Sequence, residues 1–377
     1  MKAQIFNSSK WWLVVAVVLS FTMAGASTAS GQAKVGGPSY PWHEFATGFS
    51  HSHLSMKFMG AGAYSRGGEG VAFLNGAQAL LVNPANLFSH NRWEVYIDGE
   101  LGRSQDESRY LSPDASFGTI SQSIRVNEKF TGGLALSRIR DFAHSIRYAE
   151  IGYEGPTGRT VYVESETQLT QLSAAIAFRI YSDLRFGFAV HALNYSLDYR
   201  DNLFHIVDIS DDQRFLLFQL GLTKQLGEMR LAVSLKSGED YGLKEDLGFT
   251  NSGERSVKIP AELGVGAVYR DLASVDFKYY FIESSYYDDE KLYQIGGGIH
   301  LPLYSRNDRN MIHLNVGAMY RDVPDYYAEF EQIFLNFGTE VEFGPANLYL
   351  TLFNSELSSR EEARITELIA GLNLRIK

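Results

Sequence analysis

The chain has 377 residues, of which 45% are hydrophobic and 13% aromatic, with 35 glycines and no cysteine. This length allows one large β-domain or two ordinary domains, and the lack of cysteine excludes a disulfide framework and a cysteine-ligated metal site. The formal net charge of −10 gives no basic surface for nucleic acid, so no nucleic-acid partner is predicted.

The N-terminal segment has the pattern of a secretory signal peptide. Lys2 and Lys10 precede the apolar run 11–23, and small residues follow at 24–29. The apolar run is shorter than the ~20 residues that a membrane-spanning helix requires. We therefore assign residues 1–29 to a signal peptide that is removed on export.

The next segment, residues 30–90, lacks the alternation of a strand and is rich in glycine and other small residues. It ends in the turn-forming sequence Asn83-Pro84-Ala85, directly before the first predicted strand. The compact composition of this segment predicts a unit distinct from the strands that follow it.

From residue 91 to residue 377 the chain alternates between apolar and polar residues. Val275 and Phe277, for example, fall on one face of a strand, and Asp276 and Lys278 fall on the other. About fourteen such segments follow one another, and most exceed the ~5–6 residues of a typical soluble strand. They are 92–103, 115–126, 129–141, 166–181, 184–199, 213–226, 229–240, 256–270, 273–284, 290–303, 310–321, 331–343, 346–356 and 364–376.

The connections between these segments alternate between tight turns and longer polar loops, such as the loop predicted over 142–165. This pattern is typical of an all-β, antiparallel outer-membrane barrel with both chain ends in the periplasm. Four tyrosine pairs would then belong to an aromatic girdle at the outer interface: Tyr195 and Tyr199, Tyr279 and Tyr280, Tyr286 and Tyr287, and Tyr326 and Tyr327. A barrel of about fourteen strands is too wide for its own side chains to fill, so residues 30–90 are predicted to form a plug, or hatch.

The third predicted strand contains a break in its alternation. Leu134 and Leu136 share a face, but the next apolar residue is Ile139, one position out of phase. A β-bulge near Ser137 would produce this break. A similar break is predicted within 184–199, after Val190.

The segment MGAGAYSRGGEGVAFLNGAQALLVNPANL resembles the hatch signature of FadL-type outer-membrane transporters. The residues that carry the resemblance are Gly60, Gly62, Asn83, Pro84, Ala85 and Leu87. The same signature looks like that of PorV-type relatives, which serve type IX protein secretion. The resemblance implies a fourteen-stranded barrel with an N-terminal hatch.

The resemblance also implies a function and a route. A hydrophobic small molecule, such as a long-chain fatty acid, would enter the lumen and leave sideways through the third strand. The candidate lateral opening comprises Gly132, Gly133, Ser137 and Arg138. In the PorV-like alternative the partner would be secreted protein cargo, and a third alternative is a structural barrel without transport.

Other expected partners follow from an outer-membrane location. They are membrane lipid, lipopolysaccharide and the barrel assembly machinery, although the final strand ends on Ile376 where that machinery usually reads an aromatic residue. The sequence contains no Gly-x-Ser-x-Gly, His-Glu-x-x-His or P-loop signature. We therefore predict no enzyme activity, catalytic residue, metal site or cofactor, and assign no ligand-binding residues.

Overall fold

The computed structural model of the chain describes residues 60–68, 70–89, 91–105, 116–152, 155–201, 207–244, 254–281, 292–307, 310–323, 330–355 and 365–376. The predicted signal peptide and the first half of the predicted hatch lie outside these residues. Within the described ranges, no helix has the length and apolar character needed to span a membrane.

Strands dominate the described residues. They are β1 (Trp93–Gln105), β2 (Ser116–Arg125), β3 (Phe130–Gly152), β4 (Gly155–Arg179), β5 (Leu184–Asp201), β6 (Val207–Leu226), β7 (Met229–Lys236), β8 (Glu239–Lys244), β9 (Glu254–Ile259), β10 (Ala261–Tyr269), β11 (Ala273–Phe281), β12 (Leu292–Asn307), β13 (Asn310–Val323), β14 (Phe330–Phe343), β15 (Ala346–Asn354) and β16 (Ile365–Ile376).

Fourteen of these strands close an antiparallel barrel in the order β1-β16-β15-β14-β13-β12-β11-β10-β7-β6-β5-β4-β3-β2. The barrel closes where β1 pairs with β16, with Trp93 opposite Ile376. The remaining strands, β8 and β9, form a separate hairpin between β7 and β10. The predicted fourteen-stranded barrel is therefore confirmed.

The two faces of the wall differ as the alternation predicts. On β11, Val275 is 53% exposed on the outer face, whereas Asp276 is 2% exposed and faces the lumen. The same division holds around the wall, where leucine, isoleucine, valine and phenylalanine dominate the exposed large side chains. An apolar exterior around a polar lumen is the arrangement of a barrel that faces lipid.

Two local predictions are wrong. The loop predicted over 142–165 consists largely of strand, because β3 and β4 stay paired from Arg140↔Leu169 to Ala149↔Thr160. Tyr195 and Tyr280 do not belong to an outer girdle, since both are buried and face the lumen, while Tyr286, Tyr287, Tyr326 and Tyr327 lie outside the described residues. Backbone pairing can extend past the lipid boundary because a strand in water tolerates polar residues on both faces.

The outward face of β6 provides a test of the lipid-facing assignment. Leu220 lies well inside the strand and is 43% exposed, whereas Leu226 lies at the end of the same face and is 48% exposed. We expect Leu220→Arg to lower the free energy of unfolding by about 2–4 kcal/mol in a bilayer, and Leu226→Arg by about 0–1 kcal/mol. Denaturant titrations in lipid vesicles measure both values, and equal costs would contradict the assignment.

The described half of the hatch occupies the lumen. It comprises the short helix α1 (Gly60–Ser65) and two 3-10 helices, Gly76–Ala79 and Pro84–Leu87. Nearly all of its residues are buried, and α1 contacts β1 and β13 to β16 while the second 3-10 helix contacts β3 to β6. The hatch therefore contacts strands on opposite sides of the lumen.

Candidate functional site

The Asn83-Pro84-Ala85 turn is built by its own side chains. Asn83 Oδ1 accepts a hydrogen bond from the Ala85 backbone N–H at 3.1 Å, so Asn83 caps the 3-10 helix that follows. Pro84 occupies the first helical position, where its missing N–H costs nothing. Asn83 Nδ2 also donates to the Val71 carbonyl at 3.0 Å, which fixes the turn against the preceding chain.

The same turn is hydrogen-bonded to the barrel wall. Thr223 Oγ1 on β6 donates to Asn86 Oδ1 at 2.8 Å. The Val82 carbonyl accepts hydrogen bonds from Gln219 Nε2 at 2.7 Å and from Ser234 Oγ at 2.8 Å. These wall side chains satisfy polar groups of the hatch that would otherwise be buried without partners.

Wall glycines allow the turn to approach this closely. A Cβ at Gly221 would meet Asn83 Oδ1 and would lie 2.9 Å from the Ala85 nitrogen. A Cβ at Gly187, on the neighbouring strand, would meet the backbone of Pro84 and Ala85. Only a residue without a side chain fits beneath the turn at either position.

The opposite side of the hatch is also held closely by wall residues. Gly60 has φ +63° and begins α1, and the Ala61 N–H donates to Tyr96 Oη at 2.9 Å. Tyr96 Oη in turn donates to Asp98 Oδ2 at 2.8 Å. A Cβ at Gly60 would lie 2.7 Å from Asp98 Oδ2, so both the positive φ and the packing favour glycine there, whereas a Cβ at Gly62 would meet the flexible end of the Gln78 side chain.

The structure brings one residue of the hatch motif against the candidate lateral opening. Leu87 is fully buried, and a Cβ at Gly133 of β3 would lie 3.1 Å from Leu87 Cδ2 and 2.8 Å from Leu80 Cδ1. Gly132 faces outward instead, and its nearest atom would be the Ala175 carbonyl oxygen at 3.9 Å. Gly133 therefore leaves room for the hatch residues Leu80 and Leu87 against the wall.

The rest of the candidate opening lies further along β3. From Thr131 to Ser137 this strand is paired on both sides, with β2 and with β4. Ser137 is buried, and its Oγ lies 2.9 Å from Thr119 Oγ1. Beyond it, the register against β4 shifts between Arg138 and Arg140. The break predicted after Val190 produces no register shift, because β5 pairs with β4 and β6 without interruption.

An apolar cluster lines the lumen on the side of the hatch away from the tight turns. Its wall residues are buried on β4, β5 and β6: Leu169, Leu193, Tyr195, Phe215 and Leu217. Next to the hatch residues Leu81 and Val82, a small cavity is also lined by a charged group. In that group Glu262 lies 2.9 Å from Lys278 and 3.5 Å from Lys236.

Sequence reasoning missed the wall glycines and this apolar lumen surface. The available signal for the glycines was their position, since Gly133, Gly187 and Gly221 fall on the inward phase of the alternation. For the apolar cluster the signal was the break in alternation after Val190, which puts Leu193 and Tyr195 on the lumen face, but sequence alone does not distinguish this change of face from a bulge.

Comparison with known proteins supports the same architecture. No protein-family model matches the chain, and no curated protein matches it in sequence. Among solved structures, a FadL homologue of Pseudomonas aeruginosa superposes with a TM-score of 0.58 at 12% identity, over 85% of this chain and 98% of that one. The Pseudomonas putida toluene transporter TodX gives a TM-score of 0.54 at 16% identity, over 83% and 96% of the two chains.

The fold and the position of the hatch define a class of protein: membrane β-barrels whose lumen is occupied by a segment that precedes the first strand. Within that class the chain has the fold of the FadL-type transporters, as the resemblance of the hatch segment implied.

Proposed function

We propose that the protein is a non-catalytic outer-membrane channel for the passive uptake of hydrophobic small molecules. The observation that carries this proposal is the hatch seated in a lipid-facing, fourteen-stranded barrel, at Gly187 and Gly221. A general pore for polar solutes needs an open lumen, whereas the hatch lies across this one and contacts wall strands around it. The fold shared with a FadL homologue and a toluene transporter supports the same class of substrate.

The proposed route begins at the apolar lumen surface that includes Leu193, Phe215 and Leu217. A hydrophobic molecule gains free energy by leaving water for such a surface. From there it passes either through a displaced hatch or sideways into the membrane. The register shift between Arg138 and Arg140 is our candidate for the sideways exit, because bulges weaken strand pairing locally.

The orientation and processing of the chain belong to this proposal. The barrel begins near Trp93 and ends near Ile376, at the end where tight turns such as Gly227-Glu228 join the strands. In outer-membrane barrels this end faces the periplasm. Residues 1–29 would be removed on export, and the assembly machinery would insert the barrel beside lipid and lipopolysaccharide.

The ligand is proposed only as a class. Long-chain fatty acids and monoaromatic hydrocarbons both fit an apolar lumen surface, and Lys236, Glu262 and Lys278 supply charge beside it. The PorV-like role in type IX secretion, with bound protein cargo, stays a prediction. A large loop over 142–165 would have favoured this role as a surface for cargo, but β3 and β4 extend through most of that segment instead.

Uptake by proteoliposomes tests the proposed function. We expect vesicles containing the full chain to take up labelled toluene or decanoate faster than empty vesicles, with no gain for a sugar of similar size. The sugar is expected to be excluded because the hatch obstructs the lumen, where hydrogen bonds such as that from Thr223 Oγ1 to Asn86 Oδ1 hold it against the wall. Equal gains for the sugar would indicate a general pore, and no gain for any probe would favour a structural or secretion role.

A further inference from the structure

A second cavity lies at the tight-turn end of the barrel, beneath the hatch. Its volume is about 430 Å³, within the ~300–1,000 Å³ typical of small-molecule sites. The lining includes five arginines but only three acidic residues. These charged residues are Arg66, Arg179, Arg185, Arg230 and Arg375 with Glu94, Asp271 and Glu340. The lining therefore carries an excess of positive charge.

Three of these arginines have partners within the protein, and one of the three, Arg375, lies 3.8 Å from Glu342. Arg66 lies 3.9 Å from Glu340, and burial lowers the pKa of Arg66 while Glu340 opposes that shift. Arg230 donates to the Ala72 carbonyl at 3.1 Å and lies 3.6 Å from Asp271. Their guanidinium groups hold the hatch to the wall or pair with acids, so they are not the source of the excess charge.

Arg179 and Arg185 are different. They stand directly opposite each other on β4 and β5, an arrangement of like charges that destabilises a pair of strands. Within the described residues no carboxylate lies within ion-pair distance of either, and the buried Nε of Arg179 has no hydrogen-bond partner. Both guanidinium groups lie over the ring of Phe88, at 5.2 Å and 5.7 Å from its centroid.

We propose that Arg179 and Arg185 form an anion-binding site in this cavity. The ligand is a small organic anion whose carboxylate or phosphate group lies between the two guanidinium groups and whose apolar body packs against Phe88 and Leu74. The planar guanidinium group presents paired donors that match either oxyanion. An anion at this position relieves the repulsion across the two strands. Phe88 fixes the donors toward the cavity through the cation–π contacts.

This site does not depend on the proposed uptake of neutral hydrophobic molecules. The apolar lumen surface lies on the other side of the hatch, and none of its wall residues lines this cavity. Failure of toluene uptake would leave the anion site standing, and failure of anion binding would leave the uptake proposal standing.

Calorimetric titration of the detergent-purified full chain tests the proposal. We expect benzoate or phenyl phosphate to bind and the neutral analogue benzyl alcohol neither to bind nor to compete. The preferred anion of the two identifies the oxyanion. In the Arg179→Gln/Arg185→Gln variant we expect the dissociation constant to rise at least about tenfold, because charged hydrogen bonds are lost.

The control is Arg92→Gln, which removes one positive charge, as each single variant does, from an exposed residue near the same end of the barrel, outside the cavity lining. We expect this variant to bind as the unmodified protein does. Equal weakening in the control, equal binding of benzyl alcohol, or unchanged binding in the double variant would overturn the proposal. If the double variant does not fold, the single variants Arg179→Gln and Arg185→Gln serve the same comparison.

Discussion

A valine at position 221 is expected to make the barrel leak to small polar solutes. Gly221 lies beneath the hatch turn, where a Cβ would meet Asn83 Oδ1 and would lie 3.1 Å from Pro84 Cδ. Valine adds two further methyl groups at a place already too close for one carbon. Overpacking of this kind costs about 1–3 kcal/mol, which raises the population of the displaced hatch by about 5–150-fold.

The leak follows from the width of the barrel. With fourteen strands, the wall leaves a lumen that its own side chains do not fill once the hatch is displaced. Planar-bilayer conductance and vesicle swelling with a small sugar both measure the expected gain. The barrel itself should still form, because Gly221 keeps its backbone pairing with Gly187 and Ser234 in the variant.

The same change on the outer face provides the control. Gly132 is also a strand glycine, but a Cβ there would have no atom nearer than 3.9 Å. We expect Gly132→Val to leave conductance at the level of the unmodified protein. A closed Gly221→Val barrel, or an equal leak in both variants, would show that the wall glycines do not hold the hatch.

The alternation of apolar and polar residues predicted the barrel because one face of each strand contacts lipid and the other faces the lumen. That constraint is strict on β11, where Val275 and Asp276 alternate as expected. It weakens in the second half of β3 and the first half of β4, where charged and polar residues interrupt the alternation along the sequence. The predicted loop over 142–165 failed for this reason.

The contacts of the candidate site were harder to predict from the sequence than the barrel was. The Asn83-Pro84-Ala85 motif located the hatch, but its partners Thr223, Gln219 and Ser234 are distant in sequence and carry no motif of their own. The apparent break after Val190 was a change in which face is apolar, since His191, Leu193 and Tyr195 all face the lumen. Deciding between a bulge and an apolar lumen requires the register, which only the fold supplies.

Locking the hatch with a disulfide is expected to abolish uptake if the hatch must move. A Cβ at Gly371 of β16 would lie 3.1 Å from Ala61 Cβ in α1, slightly below the ~3.5–4.5 Å that a disulfide requires. A small displacement of α1 brings the pair into range. The chain contains no cysteine, so Ala61→Cys/Gly371→Cys introduces the only pair that can oxidise.

We expect vesicles that contain the oxidised double-cysteine variant to take up toluene at the rate of empty vesicles. Reduction of the disulfide should restore the uptake rate of the unmodified protein. The lock acts because the disulfide adds to existing contacts of α1, where Thr351 Oγ1 donates to the Ala61 carbonyl at 2.9 Å. The single variants Ala61→Cys and Gly371→Cys control for crowding against Tyr96, whose Oη would lie 3.1 Å from the new Cβ at position 371. Full uptake by the oxidised protein would show that α1 does not need to move. The ligand would then have to leave through the barrel wall, and the register shift beside Arg138 is the candidate exit there.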